Sequence, residues 1–170
     1  ARQLKARNKN VEVFIVGNIE KITPCSKTNL EIIKAMKIPY KIIHTNGDNY
    51  EVLEYLKRSI QNSHIVIDCI FGTGLEREIK GIFKEVIDII NENKNLVYSI
   101  DVPSGINATT GEILGVCVKA DKTISFEFYK RGFLKYETKK YIGNVVVEHI
   151  GIPEDILKKY RVISMLSIEY

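Results

Sequence analysis

Cysteine is scarce in this chain. Cys25, Cys69 and Cys117 are the only three among 170 residues, and their spacing matches neither a disulfide framework nor a metal motif. Three unpaired thiols suit a reducing compartment, so a cytoplasmic location is expected. An excess of one charge is missing too: 25 Lys and Arg against 21 Asp and Glu give a formal net charge of +4. The lysines are scattered, with the densest group at Lys135, Lys139 and Lys140, so no basic stripe points to nucleic acid. No apolar run approaches the roughly 20 residues that span a bilayer, and no signal peptide is visible. Internal repeats and low-complexity segments are also absent. The expected partner is therefore a small molecule, with neither nucleic acid nor membrane involved.

What is present is an ordinary globular composition, 45% apolar and 27% charged, at a length suited to one domain. The most informative stretch is Ile65-Val66-Ile67-Asp68-Cys69-Ile70-Phe71-Gly72-Thr73-Gly74-Leu75. It reads as a short β-branched strand buried on both faces, a carboxylate at its carboxyl end, and a glycine loop. Gly72 and Gly74 free the backbone to turn sharply and let a ligand approach. Ile79, Ile82, Phe83, Val86, Ile87 and Ile90 then repeat every 3.6 residues, predicting a helix whose N-terminus, fed by the loop, suits a phosphate. A second unit of the same kind follows, Leu96-Val97-Tyr98-Ser99-Ile100-Asp101-Val102-Pro103-Ser104-Gly105. Two carboxylates at the ends of two parallel strands would share the crevice in which open α/β sheets bind ligands.

The rest of the chain alternates in the same manner. Ala1 to Ala6 reads as the end of a helix. Val11 to Val16 is a strand, Thr23-Pro24 opens a helix burying Leu30, Ile33 and Met36, and Tyr40 to His44 is a second strand. A helix from about Tyr50 to Gln61 buries Val52, Leu53, Leu56 and Ile60. Later strands are expected at Lys122–Phe126 and Asn144–Glu148, extending one edge, and a short helix at Pro153 to Lys159. Strand–helix alternation with long crossovers predicts an α/β fold: a Rossmann-like three-layer sandwich with a mostly parallel sheet.

Several chemistries can be weighed on these residues. Gly72-Thr73-Gly74 lacks the third glycine of the dinucleotide fingerprint, the next being Gly81, and equally serves a plain tight turn. Ser104 lacks the glycine flanks of a nucleophile elbow. Asp68, Ser104 and nearby carbonyls form an oxygen set that suits a hard cation. A buried strand-end carboxylate is costly without a cation or donors, although one alone is equally a turn former. His44, His64 and His149 read as structural or surface residues, and Lys130 and Arg131 as phosphate contacts or as a solvated loop.

Asp68 to Leu75, Asp101-Val102-Pro103-Ser104-Gly105-Ile106-Asn107-Ala108, Thr110-Gly111, Ala120 to Phe126, Tyr141-Ile142-Gly143 and Gly151-Ile152-Pro153 together resemble the NAD(P)H-hydrate epimerase family, also called the YjeF N-terminal domain family. The resemblance runs from about Val11 to Pro153. It implies an isomerase for metabolite repair that interconverts the R and S epimers of reduced NAD or NADP hydrated at C6 of the nicotinamide. Asp68 and Ser104 match positions that hold a potassium ion. Gly72, Thr73, Gly74, Leu75, Glu76, Arg77 and Glu78 match the substrate loop, and Asp101 a carboxylate at the reacting end, expected to be the catalytic acid/base. The roles of the two aspartates are interchangeable at this stage.

Residues 1–160 are expected to form the epimerase-like domain and 161–170 a tail or linker. The family's first strand and its Asn-Asn-Gly-Gly-Asp loop have no counterpart here, so the domain is expected to be N-terminally incomplete. Many relatives continue into a kinase-like, ADP- or ATP-dependent dehydratase domain, and a homo-oligomer is expected. The competing reading is a non-catalytic nucleotide- or protein-binding scaffold of the same fold.

Overall fold

Short β-branched runs alternate with amphipathic segments, and the chain folds accordingly. A computed structural model describes residues 1–93, 95–153 and 155–156. In chain order the elements are helix α1 (Arg2–Ala6), strand β1 (Val13–Val16), α2 (Pro24–Ala35), β2 (Tyr40–Ile43), α3 (Tyr50–Gln61), β3 (Ile65–Asp68), α4 (Ile82–Asn93), β4 (Leu96–Ile100), β5 (Lys122–Phe126), α5 (Lys139–Ile142) and β6 (Asn144–Glu148). The helix starts are chemically explicit. Thr23 caps α2 by accepting from the Ser26 N–H at 3.2 Å, with Pro24 at the first helical position, where no amide hydrogen is needed.

Among the described residues, every ladder between these strands is parallel. β1 pairs with β2, placing Val13 opposite Tyr40 and Val16 opposite Ile43. β3, β4, β5 and β6 lie side by side in that order, so the late strands do extend one edge. Asp68 stands opposite Ser99, and Ser99 opposite Thr123. Among the described residues no ladder joins the pair β1–β2 to the four-stranded sheet. A shared core joins them instead. Ile43, Leu56, Ile60, Val86, Ile87 and Val97 form its centre, with Phe14 and Val16 of β1 and Val66 of β3 packed against it. Fully buried side chains such as Ile87 and Val97 each contribute roughly 1.5–3 kcal/mol. A second cluster, Val102, Ile106, Cys117, Phe133 and Ile142, lies under the segments that follow β4 and β5.

Two sequence expectations need correction. β3 is not buried on both faces: Ile65 and Ile67 are each 45% exposed, as is Leu96, beside Ile65 on β4, at 46%, so no described residue covers that face of the sheet here. The glycine loop does not run straight into a helix N-terminus. α4 begins at Ile82, after Gly81 at φ +58°, and the segment before it is pinned by buried Leu75 and Ile79, the latter donating its N–H to the Leu114 carbonyl at 2.9 Å. The tail from Arg161 lies outside the described residues, as does most of the helix expected at Pro153 to Lys159.

Candidate active site

The site is assembled where β3, β4 and β5 end. Asp68, the last residue of β3, is 1% exposed. Its Oδ1 accepts from the Ser104 hydroxyl at 2.6 Å and the Ile70 N–H at 3.2 Å. Its Oδ2 accepts from the Ser99 hydroxyl at 2.8 Å and the Ser104 N–H at 2.9 Å. An ionised carboxylate offers about four lone-pair sites, and these four donors fill them. Ser104 Oγ also accepts from the Phe71 N–H at 2.8 Å, so Asp68 and Ser104 together fasten the loop after β3 to the loop after β4. Burial pushes the Asp68 pKa up, the donors pull it down, and burial prevails.

The loop after β4 is fixed by packing. Gly105 has φ +116°, and a side chain there would collide with the Val116 carbonyl and the Cys117 backbone. Ser104 is thereby carried under the sheet end, where it is 1% exposed.

Asp101 lies one residue beyond β4, in the left-handed region at φ +68°. Aspartate tolerates that conformation better than most residues, and such strain clusters at functional sites. Its N–H donates to the Ile124 carbonyl of β5 at 2.7 Å, which turns the side chain toward the end of that strand. Asp101 Oδ1 accepts from the Phe126 N–H at 3.1 Å and meets Lys130 Nζ at 2.7 Å. Lys130 also donates to the Phe126 carbonyl at 2.8 Å. The two side chains are 19% and 15% exposed, so this is a largely desolvated ion pair still open on one side. No described residue donates to Oδ2 of Asp101.

The glycine loop stays at the surface. Gly72, Thr73, Gly74, Glu76, Arg77 and Glu78 are exposed, Leu75 is buried in the core, and Glu78 pairs with Lys80 at 2.8 Å. Neither Gly72 nor Gly74 is left-handed, and a side chain at either would meet nothing within 4 Å. The chain does turn here, the Leu75 N–H donating to the Gly72 carbonyl at 3.4 Å, but neither backbone conformation nor packing demands glycine at these two positions. Open approach to the backbone is what they offer.

The other candidates separate cleanly. His44 and His64 are exposed, and exposed His149 hydrogen-bonds Glu127 at 3.2 Å. Arg131 is exposed, whereas Lys130 turns inward onto Asp101. The sequence left Lys130 as a phosphate contact or a solvated loop residue. The available signal was its place four residues past the strand that neighbours β4. A surface concavity of about 970 Å³ along β2 and α3, lined by Lys41, His44, Asp48 and Arg58 among others, includes neither Asp68 nor Asp101.

The expected potassium ligands do touch one another, as a direct hydrogen bond. Asp68 and Ser104 are an all-oxygen set of the kind hard cations prefer. With every Asp68 lone pair taken, a cation could bind only by replacing one of the four donors.

Residues 1–132 match the family described as YjeF-related protein N-terminus. The chain is 34% identical over 161 residues to the bifunctional NAD(P)H-hydrate repair enzyme Nnr of Thermofilum pendens, covering 95% of this chain and 30% of that protein. It is 36% identical over 152 residues to the NAD(P)H-hydrate epimerase of Levilactobacillus brevis, covering 89% and 65% respectively. The corresponding enzyme of Anaerococcus prevotii is 35% identical over 158 residues, covering 93% and 70%. Among solved structures, the crystal structure of the yeast protein YNL200c superposes with a TM-score of 0.73 at 23% identity, covering all of this chain and 67% of that one, which supports the parallel α/β fold. The chain thus spans under a third of the bifunctional relative and about two thirds of the two single-activity ones.

Proposed function

We propose that this chain, which belongs to the family of YjeF-related protein N-termini, carries NAD(P)H-hydrate epimerase chemistry. The substrate in this reading is reduced NAD or NADP with a hydroxyl added at C6 of the nicotinamide, and the reaction is inversion of that carbon. The observation that carries the reading is Asp101: a strand-end carboxylate in a strained conformation, with one oxygen held and the other without a donor among the described residues. Inversion at C6 needs a bond there to break and re-form, either carbon to hydroxyl or carbon to ring nitrogen. Both routes move a proton on and off the C6 oxygen, and in this reading Asp101 exchanges it.

The exposed backbone of Gly72 to Glu78 approaches the dinucleotide in this reading, which is why glycines stand where the fold does not require them. Asp68 and Ser104 would hold a potassium ion if the ion replaced one donor of the knot. Its chemistry there would be to order the two loops and balance phosphate charge. The same reading includes a cytoplasmic homo-oligomer. It also includes a further strand with the family's Asn-Asn-Gly-Gly-Asp loop in the natural protein, completing the domain formed by residues 1–160. That strand would pair with the edge of β3 that no described strand occupies.

The test is chromatography of the two hydrate epimers after incubation with this chain, and with a longer chain carrying that strand, in potassium and in potassium-free buffer. Interconversion by the longer chain, faster with potassium, is the expected result. A folded longer chain that binds the dinucleotide but leaves a single epimer unchanged would replace this reading with a binding scaffold.

A further inference from the structure

Lys130 decides which oxygen of Asp101 is available. Its ammonium lies 2.7 Å from the Asp101 carboxylate in a largely desolvated setting, a charge-assisted contact. That ammonium and the Phe126 N–H both occupy Oδ1, leaving Oδ2 without a described donor. The lysine is itself anchored by the Phe126 carbonyl at 2.8 Å, so the geometry is held from both ends of the pair. A carboxylate prepared in this way begins a reaction by taking a proton, not by giving one.

Resting on the reading of Asp101 as the proton-exchanging group, we propose that Lys130 is a positioning residue that fixes Asp101 as a base through Oδ1, so that epimerisation runs by ring opening. Oδ2 takes the proton of the C6 hydroxyl. The oxygen forms a carbonyl with C6, and the bond from C6 to the ring nitrogen breaks with its electron pair moving to nitrogen. That nitrogen is conjugated through a double bond to the carboxamide, which spreads the charge, and it receives the proton from Oδ2. Rotation about the C5–C6 bond presents the other face of the carbonyl. Closure reverses each transfer: nitrogen returns its proton to Oδ2, attacks C6, and the oxygen recovers the proton. Nothing is gained or lost, and the original oxygen stays on C6. Departure of the hydroxyl would instead require Asp101 to start as an acid, and water would replace that oxygen.

Two measurements on the natural chain containing these residues test this. The first is epimerisation in H₂¹⁸O with mass analysis of the inverted product, on unaltered protein. Ring opening leaves well under one labelled oxygen per inversion, whereas one labelled oxygen per inversion overturns the proposal. The second compares Lys130→Met and Lys130→Arg. The Met variant is expected to lose about 10²-fold in kcat with KM changed less than roughly threefold, and Arg to recover part of the loss. A raised KM with kcat intact overturns the proposal, because Lys130 would then be binding phosphate. Asp101→Asn separates the two levels. If it retains near-normal turnover, the acid/base reading itself fails; if it is inactive while Lys130→Met matches the wild type, the positioning role alone fails. Should Lys130→Met not fold, the labelling result on unaltered protein still decides the route.

Discussion

The turns after β3 and β4 begin alike, each with a parallel strand, an aspartate and a glycine-bearing turn, yet the two carboxylates finish in opposite settings. Asp68 is sealed at 1% exposure among four uncharged donors, with no free lone pair. Asp101 is 19% exposed, strained at φ +68°, paired with a lysine, and open at one oxygen. Position at a strand end therefore does not assign a role. The partners differ: neutral donors on both oxygens make a fastening, whereas a cation on one oxygen leaves the other open, the setting proposed above for a base.

The sharpest way to break this contrast is to exchange the failure modes. Asp101→Asn should lower epimerisation by about 10²–10⁴-fold, the usual range for a general acid/base, while leaving the thermal midpoint nearly unchanged. Asp68→Ala should act first on stability. It strands two hydroxyls and two N–H groups in the interior, and denaturant titration should show a loss of about 3–5 kcal/mol. If Asp101→Asn destabilised the fold as much as Asp68→Ala, the two strand ends would not differ in role.

A pH series sharpens the same contrast. Burial holds the Asp68 pKa above its ordinary value of 3.8 despite four donors. The folded state therefore binds the Asp68 proton at a higher pH than the unfolded chain does. The contribution of that group to stability is fully present below 3.8 and is lost as pH rises through the raised folded value. Relative to Asp68→Asn, which has no such proton, the wild type should gain stability as pH falls from neutral toward 4. A relative loss on acidification would mean that the four hydrogen bonds outweigh burial. Equilibrium unfolding of both proteins at several pH values reads the sign directly.

Much of this was legible in the sequence. The strands at Leu96–Ile100, Lys122–Phe126 and Asn144–Glu148 and the helix at Tyr50–Gln61 fall where periodicity places them. Those segments are strongly patterned and bounded by turn residues, which is the information local sequence carries. The pairing of Asp68 with Ser104 was also visible as a shared oxygen set. What was hidden depends on neighbours distant in the chain. The exposure of Ile65 and Ile67 follows from what packs on their face of the sheet, not from their own β-branched run. The seven residues between Gly74 and α4 are held off the helix by a contact to Leu114, 35 positions beyond Ile79. Lys130 could be found only by knowing that β5 lies beside β4, which brings the segment after Phe126 onto Asp101.

The smallest expected effect follows from the charge of Asp68 reaching its neighbour. The Cys69 thiol is pushed up to about 11, by desolvation first and by the Asp68 carboxylate second. At pH 8 about one part in 10³ of that thiol is ionised, and only the thiolate attacks an alkylating reagent. Although Cys69 reaches the surface, iodoacetamide should therefore modify it at least about tenfold more slowly than a free cysteine peptide, allowing for the greater intrinsic reactivity of a more basic thiol. Cys117, buried and also raised, should stay unmodified in the native protein. Asp68→Asn removes the second cause and leaves the first, so Cys69 should react only a few-fold faster in that variant, as peptide mapping of the alkylated sites would show. A Cys69 that reacts as fast as the free peptide would mean that the turn after β3 opens to solvent, and the sealed half of the contrast would fail. An unchanged rate in Asp68→Asn would leave desolvation as the sole cause and confine the Asp68 charge to its own four donors.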